Sequence, residues 1–299
     1  MSSTSAVQST SVRRAGKNDP ADTVERRRGV LPFRVELARQ LSQWRVRIVL
    51  IILVVLPVVV RIALLVGGPP PSSSSSTTSL VALAQVSGGT FAAFVLVLTE
   101  GFLVTLIAAL LFGDLIAGEA SRSTLKYLLT VPVPRMRLLA VKVAVASAIL
   151  LAGLVALTAV SLLVGVLSYG ADGIQVPGGP RLGLGDSVIR LALTTAVGAV
   201  GLLWAAALGT LLTVVADSPL AAAGGVVLAS ILSRILDSIP ALGDLRVALP
   251  THYSRAFQQF LFVPVDLAPV ANSLLSGLLW TLILGTVAAW WFSRKDVSG

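Results

Sequence analysis

Long apolar runs alternate with short polar stretches along most of the chain after residue 47. A helix rises about 1.5 Å per residue, so crossing a hydrocarbon core about 30 Å thick takes roughly 20 apolar residues. Six runs are predicted as membrane spans, at 48–66, 95–117, 143–167, 188–215, from 220 into a region that becomes irregular after 233, and at 270–292. The pattern predicts an all-α polytopic membrane protein with six transmembrane helices.

A different periodicity precedes the first predicted span. Apolar residues recur there at steps of three or four, at Phe33, Leu37, Leu41, Trp44 and Ile48. Arginines and glutamines fall mostly on the other faces, as is typical of an amphipathic helix that lies in the membrane interface. An amphipathic interfacial helix is therefore predicted over residues 30–47. The pattern fits a simple membrane anchor and a docking surface for a partner equally well.

Composition supports a membrane location and narrows the chemistry. Of the 299 residues, 55% are hydrophobic and only 12% are charged, which is too little polar surface for a soluble domain of this length. The chain has no cysteine, so disulfides and thiolate metal sites are excluded. The one histidine, His252, has no second histidine or cysteine to complete a zinc site. No metal site is predicted.

The distribution of lysine and arginine predicts the orientation of the chain. With the N-terminus placed in the cytoplasm, 17 of the 23 basic residues lie in predicted cytoplasmic segments. This excess follows the positive-inside rule and favours an even number of spans with both termini cytoplasmic. It also accounts for the net charge of +9 without a nucleic-acid partner. The chain then divides into a disordered basic tail (1–29), the interfacial helix, a six-span domain (48–292) and a cytoplasmic C-terminus (293–299).

Motifs for catalysis and nucleotide binding are missing from the sequence. No G-x-x-x-x-G-K-[ST] sequence occurs, so the chain has no P-loop for ATP. Acidic residues come singly, and no Ser-His-Asp set can be built around one histidine in a predicted external loop. We therefore expect no catalytic residue, no cofactor-binding residue and no enzymatic activity in this chain.

Few ionisable residues fall within the predicted spans. Arg61 and Glu100 both map to the outer half of adjacent spans. Because an unpaired charge in hydrocarbon is costly, the two side chains are candidates for an intramembrane ion pair. The alternative is that each reaches the outer interface independently. No chain of buried acids accompanies them, which weakens the interpretation of the protein as a proton-coupled secondary carrier.

The connection between predicted spans five and six has a mixed character. The stretch IPALGDLRVALPTHYSRAFQQFLFVPVDLAP is too polar and too interrupted by proline to cross the bilayer, yet too apolar for a free loop. We expect this connection to lie on the outer leaflet or to dip into it.

The connection between predicted spans two and three is the only substantial cytoplasmic connection within the predicted membrane domain. The stretch GEASRSTLKYLLTVPVPR has good helical propensity, and its prolines end that helix before a second one begins near Arg135. Glu119, Arg122 and Lys126 fall on roughly one face of the first helix. A short cytoplasmic helix at this place would be exposed to a partner. The alternative is a basic loop that only follows the positive-inside rule.

This connection resembles the signature region of ABC-2 type transporter permeases. In that family a Gly-Glu pair, a Thr-Leu pair, a Leu-Leu pair, a Pro-x-x-Arg turn and a closing Lys recur at about the spacing seen in residues 112–142. The matching positions are Gly118, Glu119, Thr124, Leu125, Leu128, Leu129, Pro132, Arg135 and Lys142. We call residues 118–142 the signature segment. A second resemblance, to a Leu-Pro-x-x-Tyr element before the last span of many such permeases, is carried by Leu249, Pro250 and Tyr253.

What the resemblance implies is the transmembrane permease of an ATP-driven ABC transporter, usually an exporter. The signature segment, including Arg122 and Lys126, would then be the coupling helix that receives the movement of the ATPase. ATP and Mg would be bound by a separate ABC ATPase subunit, and two permease subunits, identical or different, would pair in the complex. The Leu-Pro-x-x-Tyr element would belong to outer-leaflet helices that cap the pathway. The expected location is the plasma membrane of a prokaryotic cell. A secondary carrier or a non-transporting membrane scaffold is the alternative, and lipids, peptides, drugs and polymers all stay open as substrates.

Overall fold

The computed structural model describes residues 33–67, 81–118, 135–176, 179–216 and 218–294. Within these ranges the regular structure is helical, apart from one isolated antiparallel bridge between Gln175 and Arg181. The α-helices are α1 (Phe33–Ser42), α2 (Trp44–Val66), α3 (Gly88–Glu100), α4 (Leu103–Gly113), α5 (Arg135–Tyr169), α6 (Leu184–Gly201), α7 (Leu203–Val215), α8 (Pro219–Asp237) and α9 (Leu267–Arg294). Two 3₁₀ helices, Pro240–Ala248 and Ala256–Leu261, lie between α8 and α9. The predicted all-α fold class is confirmed.

Five helical units are long and apolar enough to cross a membrane: α2, α5, α6 together with α7, α8 and α9. Helices α3 and α4 pass the same test only as a pair, and the pair is bent by 54°. The break includes Phe102, whose φ of −133° and ψ of −47° lie outside the helical region. Counting the bent pair as one span gives six spans, the number that hydropathy predicts. The chain is thus a multi-pass membrane protein, while the orientation of its termini stays a prediction.

Helix boundaries differ from the predicted spans where helices run past the apolar core. Helix α5 extends over 35 residues rather than 143–167, because its first turns carry basic residues that hydropathy leaves outside a span. Helix α8 continues to Asp237, so the irregular region begins later than the predicted break after 233. The bent pair begins at Gly88, before the predicted start at 95, because Ser87 caps the helix there and its first turns carry too few large apolar residues for hydropathy to count them as a span.

The bent pair lies at the centre of the bundle. Its side chains Phe91, Val104 and Phe112 are fully buried. Helix α3 packs against α5, and α4 packs against α7 and α8. A helix that is apolar on every side needs such neighbours or lipid around it. The outer helices α2 and α9 instead expose large apolar side chains, among them Val58 and Leu282, as expected of surfaces that face lipid.

Close contact between α3 and α5 depends on glycine. A Cβ atom on Gly88 would lie 2.6 Å from the backbone nitrogen of Val166, and one on Gly165 would lie 2.5 Å from the carbonyl oxygen of Gly88. Small residues allow membrane helices to approach until their backbones touch. Ser87 precedes this contact and caps α3, because its hydroxyl accepts a hydrogen bond from the backbone N–H of Thr90 at 3.3 Å. The start of the bent span is therefore fixed firmly against α5.

The 239–266 segment, which connects α8 to α9, contains the two 3₁₀ helices and no membrane-crossing helix. Side chains from three spans hold it. Arg190 of α6 donates to two backbone carbonyls of the segment at 2.9 and 3.0 Å. Trp280 of α9 donates to a third at 3.0 Å, and the hydroxyls of Ser233 in α8 and Thr251 share a hydrogen bond of 2.7 Å. The segment packs on the bundle without crossing it, and its place in the outer leaflet stays a prediction.

Candidate functional site

The structure describes the two ends of the signature segment. Gly118 and Lys142 lie within the described residues, and Arg135 is the first residue of α5. The other predicted coupling residues lie outside the described part of the chain, namely Glu119, Arg122, Thr124, Leu125, Lys126, Leu128, Leu129 and Pro132. The surroundings of the two ends therefore define the candidate site.

Lys142, the closing residue of the signature segment, lies about two turns into α5. Only 1% of its surface is exposed. Its Nζ atom donates to Oε1 of Glu36 at 3.3 Å, and both side chains are almost wholly buried. Glu36 belongs to α1 and precedes Lys142 by 106 residues. A buried ion pair thus joins the end of the signature segment to the interfacial helix.

Two more side chains of α1 surround the Glu36 carboxylate. Gln40 donates to Oε1 at 3.0 Å, and the Arg39 guanidinium lies 3.0 Å from Oε2. The Gln40 amide also reaches the backbone carbonyl of Lys142 at 3.4 Å. Burial raises the pKa of Glu36, but the charge of Lys142, aided by the neighbouring amide and guanidinium, outweighs burial and lowers this pKa below its ordinary value. The carboxylate is therefore ionised at neutral pH and holds the two helices together.

Helix α1 turns towards the bundle a polar face that adjoins its apolar stripe, and Leu37 of that stripe packs against the core. Its buried residues are Glu36 and Gln40, whereas Phe33 and Leu41 are 43% and 38% exposed. The helix also ends at Ser42, so the predicted stripe is not continuous into the first span. In a membrane protein lipid can cover the apolar stripe, while a buried acid needs protein partners. The sequence contains one sign of this buried face, because Glu36 is an isolated acid among arginines and lies four residues before Gln40.

A second ion pair lies beside the other end of the signature segment. Asp114, which follows α4, accepts a hydrogen bond from Arg45 of α2 at 2.9 Å. The backbone N–H of Gly118 donates to the Asp114 carbonyl at 3.1 Å. A Cβ atom at position 118 would overlap the Asp114 carboxylate. This crowding gives a physical reason for glycine at the first position of the signature.

A cleft of about 520 Å³ lies between these two ion pairs. It is bounded by α1 and α2 on one side and by α4 and α8 on the other. Charged and amide side chains, including Arg39 and Gln43, line its polar part. Apolar side chains such as Ile52, Leu110 and Leu220 line its walls. The volume is typical of a small-molecule pocket, and the mixed lining suits an amphipathic occupant.

Arg61 and Glu100, the candidates for an intramembrane pair, have different neighbours in the structure. The Arg61 guanidinium lies 4.6 Å from the centroid of the Tyr169 ring. Glu100 lies against Gly198 and shares a small cavity with Arg234. Within the described chain no salt bridge joins Arg61 to Glu100, so each charge is accommodated separately. The sequence left pairing and separate placement open, and the described contacts give each charge neighbours of its own.

The residues of the Leu-Pro-x-x-Tyr element lie between the two 3₁₀ helices of the 239–266 segment. Leu249 and Pro250 are partly buried. The Tyr253 ring packs edge-to-face on His252, with 4.7 Å between ring centroids. The Nδ1 atom of His252 lies 2.5 Å from Oδ1 of Asp237, the last residue of α8. The element is thus fixed to the end of one span.

The apolar spans, the bent central pair and the buried charges at one polar connection define an integral membrane protein. Residues 43–233 match the family described as ABC-2 family transporter protein, and because this is more than half of the chain, the protein belongs to that family. No curated protein matches the chain. Membership makes the chain the transmembrane component of an ABC transporter, in which ATPase activity belongs to a separate subunit.

Proposed function

We propose that the chain is the permease subunit of an ATP-driven exporter in the plasma membrane of a prokaryotic cell. Family membership supports a transporter that works with an ABC ATPase. The lack of a P-loop in the sequence fits binding of ATP and Mg by that partner. In the assembled transporter two permeases, identical or different, pair with two ATPases. The signature segment is the surface that meets the ATPase.

The observation that carries this proposal is the attachment of both ends of the signature segment to the N-terminal helices. At one end Lys142 pairs with Glu36 of α1. At the other end Asp114, which packs against Gly118, pairs with Arg45 of α2. Breaking the buried pair of Lys142 and Glu36 by removing one partner typically costs about 3–5 kcal/mol, so α1 and α5 move together. The pair of Arg45 and Asp114 is a weaker link, because the Arg45 side chain is 63% exposed. A two-point attachment suits the transmission of ATPase closure to the spans.

Movement of the signature segment reaches the cleft through these attachments. Helices α1 and α2 form one side of the cleft, and α4 and α8 form the other. A shift of the first two helices against the others changes the width of the cleft, which is the kind of sliding between packed helices that switches access in many proteins. Lys142 is a positioning residue in this scheme, because its buried side chain acts through Glu36 and not through a surface contact.

Crosslinking tests which surface meets the ATPase. The protein has no cysteine, so one introduced cysteine can carry a photoactivated crosslinker. In the complex purified from native membrane, the Ser123→Cys variant should give a product that contains the ATPase subunit, as identified by mass spectrometry. The Gln259→Cys variant, in the 239–266 segment, is the matched control and should give none.

Two results would contradict the proposed function. The first is a purified complex that contains no ATPase under conditions that preserve known membrane complexes. The second is a crosslink to the ATPase from position 259 and none from position 123. Mass spectrometry of small molecules retained by the same complex gives the substrate class.

A further inference from the structure

A small polar cavity lies inside the bundle, away from the cleft near the signature segment. Its volume is about 20 Å³. Glu100, the last residue of α3, and Arg234 of α8 both line it. Hydroxyl side chains complete the polar lining, from Thr105, Thr251, Ser254 and Ser273. The bent pair, α8, α9 and the 239–266 segment therefore all contribute polar groups to one site.

The two charges share this cavity without direct contact. Among the described residues no salt bridge joins Glu100 to Arg234, and the Glu100 carboxylate lies against Gly198, where an added Cβ atom would come within 2.9 Å of Oε1. A charge inside a membrane span is costly unless it is paired or hydrated. One water molecule needs roughly 10–15 Å³ and two to four polar partners. The cavity meets both requirements.

We propose that Glu100 and Arg234, bridged by water to the hydroxyls of Thr251 and Ser254, form a latch that holds the 239–266 segment on the bundle and opens during transport. Thr251 and Ser254 bring the segment into the same polar site as the two charges. Ser233, next to Arg234, strengthens this attachment through its hydrogen bond of 2.7 Å with Thr251. The opening step rests on the proposed function, whereas the latch itself rests on the geometry of the site.

The position of Glu100 couples the latch to the shape of the bent span. Glu100 ends α3, and the non-helical residue of the 54° bend, Phe102, follows two residues later. Residues at helix ends absorb the angular change when helices move as rigid units. A change in the bend shifts the Glu100 carboxylate relative to Arg234 on α8. The water bridge then breaks, and the segment loses one of its attachments.

Water access to the cavity tests the latch. Ser273 lines the cavity and is buried, so Ser273→Cys is a thiol reporter in a chain without other cysteines. In nanodiscs that contain the complex with its ATPase, a small maleimide should label this reporter slowly. Glu100→Gln and Arg234→Gln should each speed labelling about tenfold, and the double variant should be no faster, because both changes break the same bridge. Arg61→Gln is the matched control and should leave the rate unchanged, since Arg61 packs on Tyr169 instead.

If the charge variants fail to assemble, Gly198→Ala tests the latch instead. This change keeps both charges but pushes the Glu100 carboxylate aside, and it should speed labelling as the charge variants do. Gly285→Ala is its control, because an added Cβ atom there meets nothing within 4 Å. Unchanged labelling in Gly198→Ala, or additive rates in the double charge variant, would overturn the latch. If the variants behave as expected but ATP does not speed labelling in the otherwise unaltered protein, the latch is supported and its opening during transport is wrong, while the crosslink from position 123 tests the proposed function separately.

Discussion

A buried carboxylate and a buried ammonium stabilise a protein only while they are together. Removing one partner leaves the other charge buried without compensation, which typically costs about 3–5 kcal/mol. We therefore expect Glu36→Gln and Lys142→Met each to lower the free energy of unfolding by about that amount. The double variant should lose less than the sum of the two. Thermal unfolding of the protein in detergent measures all three changes.

An exposed ion pair on the same chain is the control for this prediction. Arg181 and Asp172 lie 3.1 Å apart, with side chains 46% and 57% exposed. Such pairs contribute at most about 1 kcal/mol, so Arg181→Gln should have little effect. Equal losses for Arg181→Gln and Lys142→Met would show that the pair of Lys142 and Glu36 is not buried in the membrane-embedded protein.

Acid should weaken the buried pair at Glu36. The pKa of Glu36 in the folded protein lies below its ordinary value of 4.5, so the unfolded chain takes up the proton more readily. The stabilisation is fully present above pH 4.5 and is lost as the pH falls through the lower folded-state pKa. The free energy of unfolding should therefore fall in this acid range. In Glu36→Gln this part of the pH dependence should disappear, and parallel curves for the two proteins would contradict the assignment.

Individual residues show where prediction from the sequence stops. The family resemblance points to Lys142, but its partner Glu36 lies 106 residues earlier, and the apolar pattern of α1 does not show that Glu36 and Gln40 are its buried residues. Apolar runs likewise show that Arg61 and Glu100 lie within spans. They do not show which spans are neighbours, and pairing depends on that. Contacts between distant residues require the packed fold.

Two glycines of the bent span have opposite surroundings, and this gives a prediction at the scale of the helix. A Cβ atom on Gly88 would press on the backbone of α5, whereas one on Gly101 would meet nothing within 4 Å. Gly101 also has helical backbone angles, with φ −60° and ψ −49°. Gly88→Ala should destabilise the protein by about 1–3 kcal/mol, as overpacking does. Gly101→Ala should be neutral or stabilise by up to about 1 kcal/mol, because alanine favours helix.

The free energy of unfolding of the two alanine variants, measured under the same conditions, tests both expectations. Each variant is the control for the other. A loss of stability in Gly101→Ala as large as that in Gly88→Ala would mean that the helix break requires glycine. No loss in Gly88→Ala would mean that α3 and α5 are not in close contact.

Helices could be predicted from the sequence where their length and apolarity determine the structure. They could not be predicted where local backbone geometry determines it. Each predicted span overlaps a helix or the bent pair, because a bilayer demands long apolar helices. The 54° bend was not predictable from hydropathy, since an apolar run has the same composition whether it is straight or bent. The burial of the polar face of α1 could not be predicted for a related reason. In a membrane, lipid rather than the protein core can surround the apolar face of a helix.

At the scale of the whole molecule, helix α8 connects the two polar sites. Leu220 near its start lines the cleft beside the signature segment, and Arg234 near its end lines the latch cavity. The 14 residue steps from Leu220 to Arg234 span about 21 Å of helix at 1.5 Å per residue. A rigid α8 that shifts when the cleft changes width moves Arg234 relative to Glu100 at the same time. This helix therefore offers a direct mechanical link between the ATPase side and the 239–266 segment.

The orientation of the whole molecule leads to the last prediction. The excess of basic residues predicts that α1 and the C-terminal end of α9 are cytoplasmic and that the 239–266 segment is outside. Three exposed serines lie in or directly beside these places: Ser42 ends α1, Ser238 directly precedes the 239–266 segment, and Ser293 lies near the end of α9. The chain has no cysteine of its own. In intact cells an impermeant maleimide should label Ser238→Cys, and it should label Ser42→Cys and Ser293→Cys only after permeabilisation. The reverse pattern would invert the orientation and move the signature segment away from the cytoplasmic ATPase. If Ser42→Cys and Ser293→Cys are labelled from opposite sides, the number of spans is odd. The bent pair of α3 and α4 then enters and leaves the membrane on the same side, and the protein has five spans.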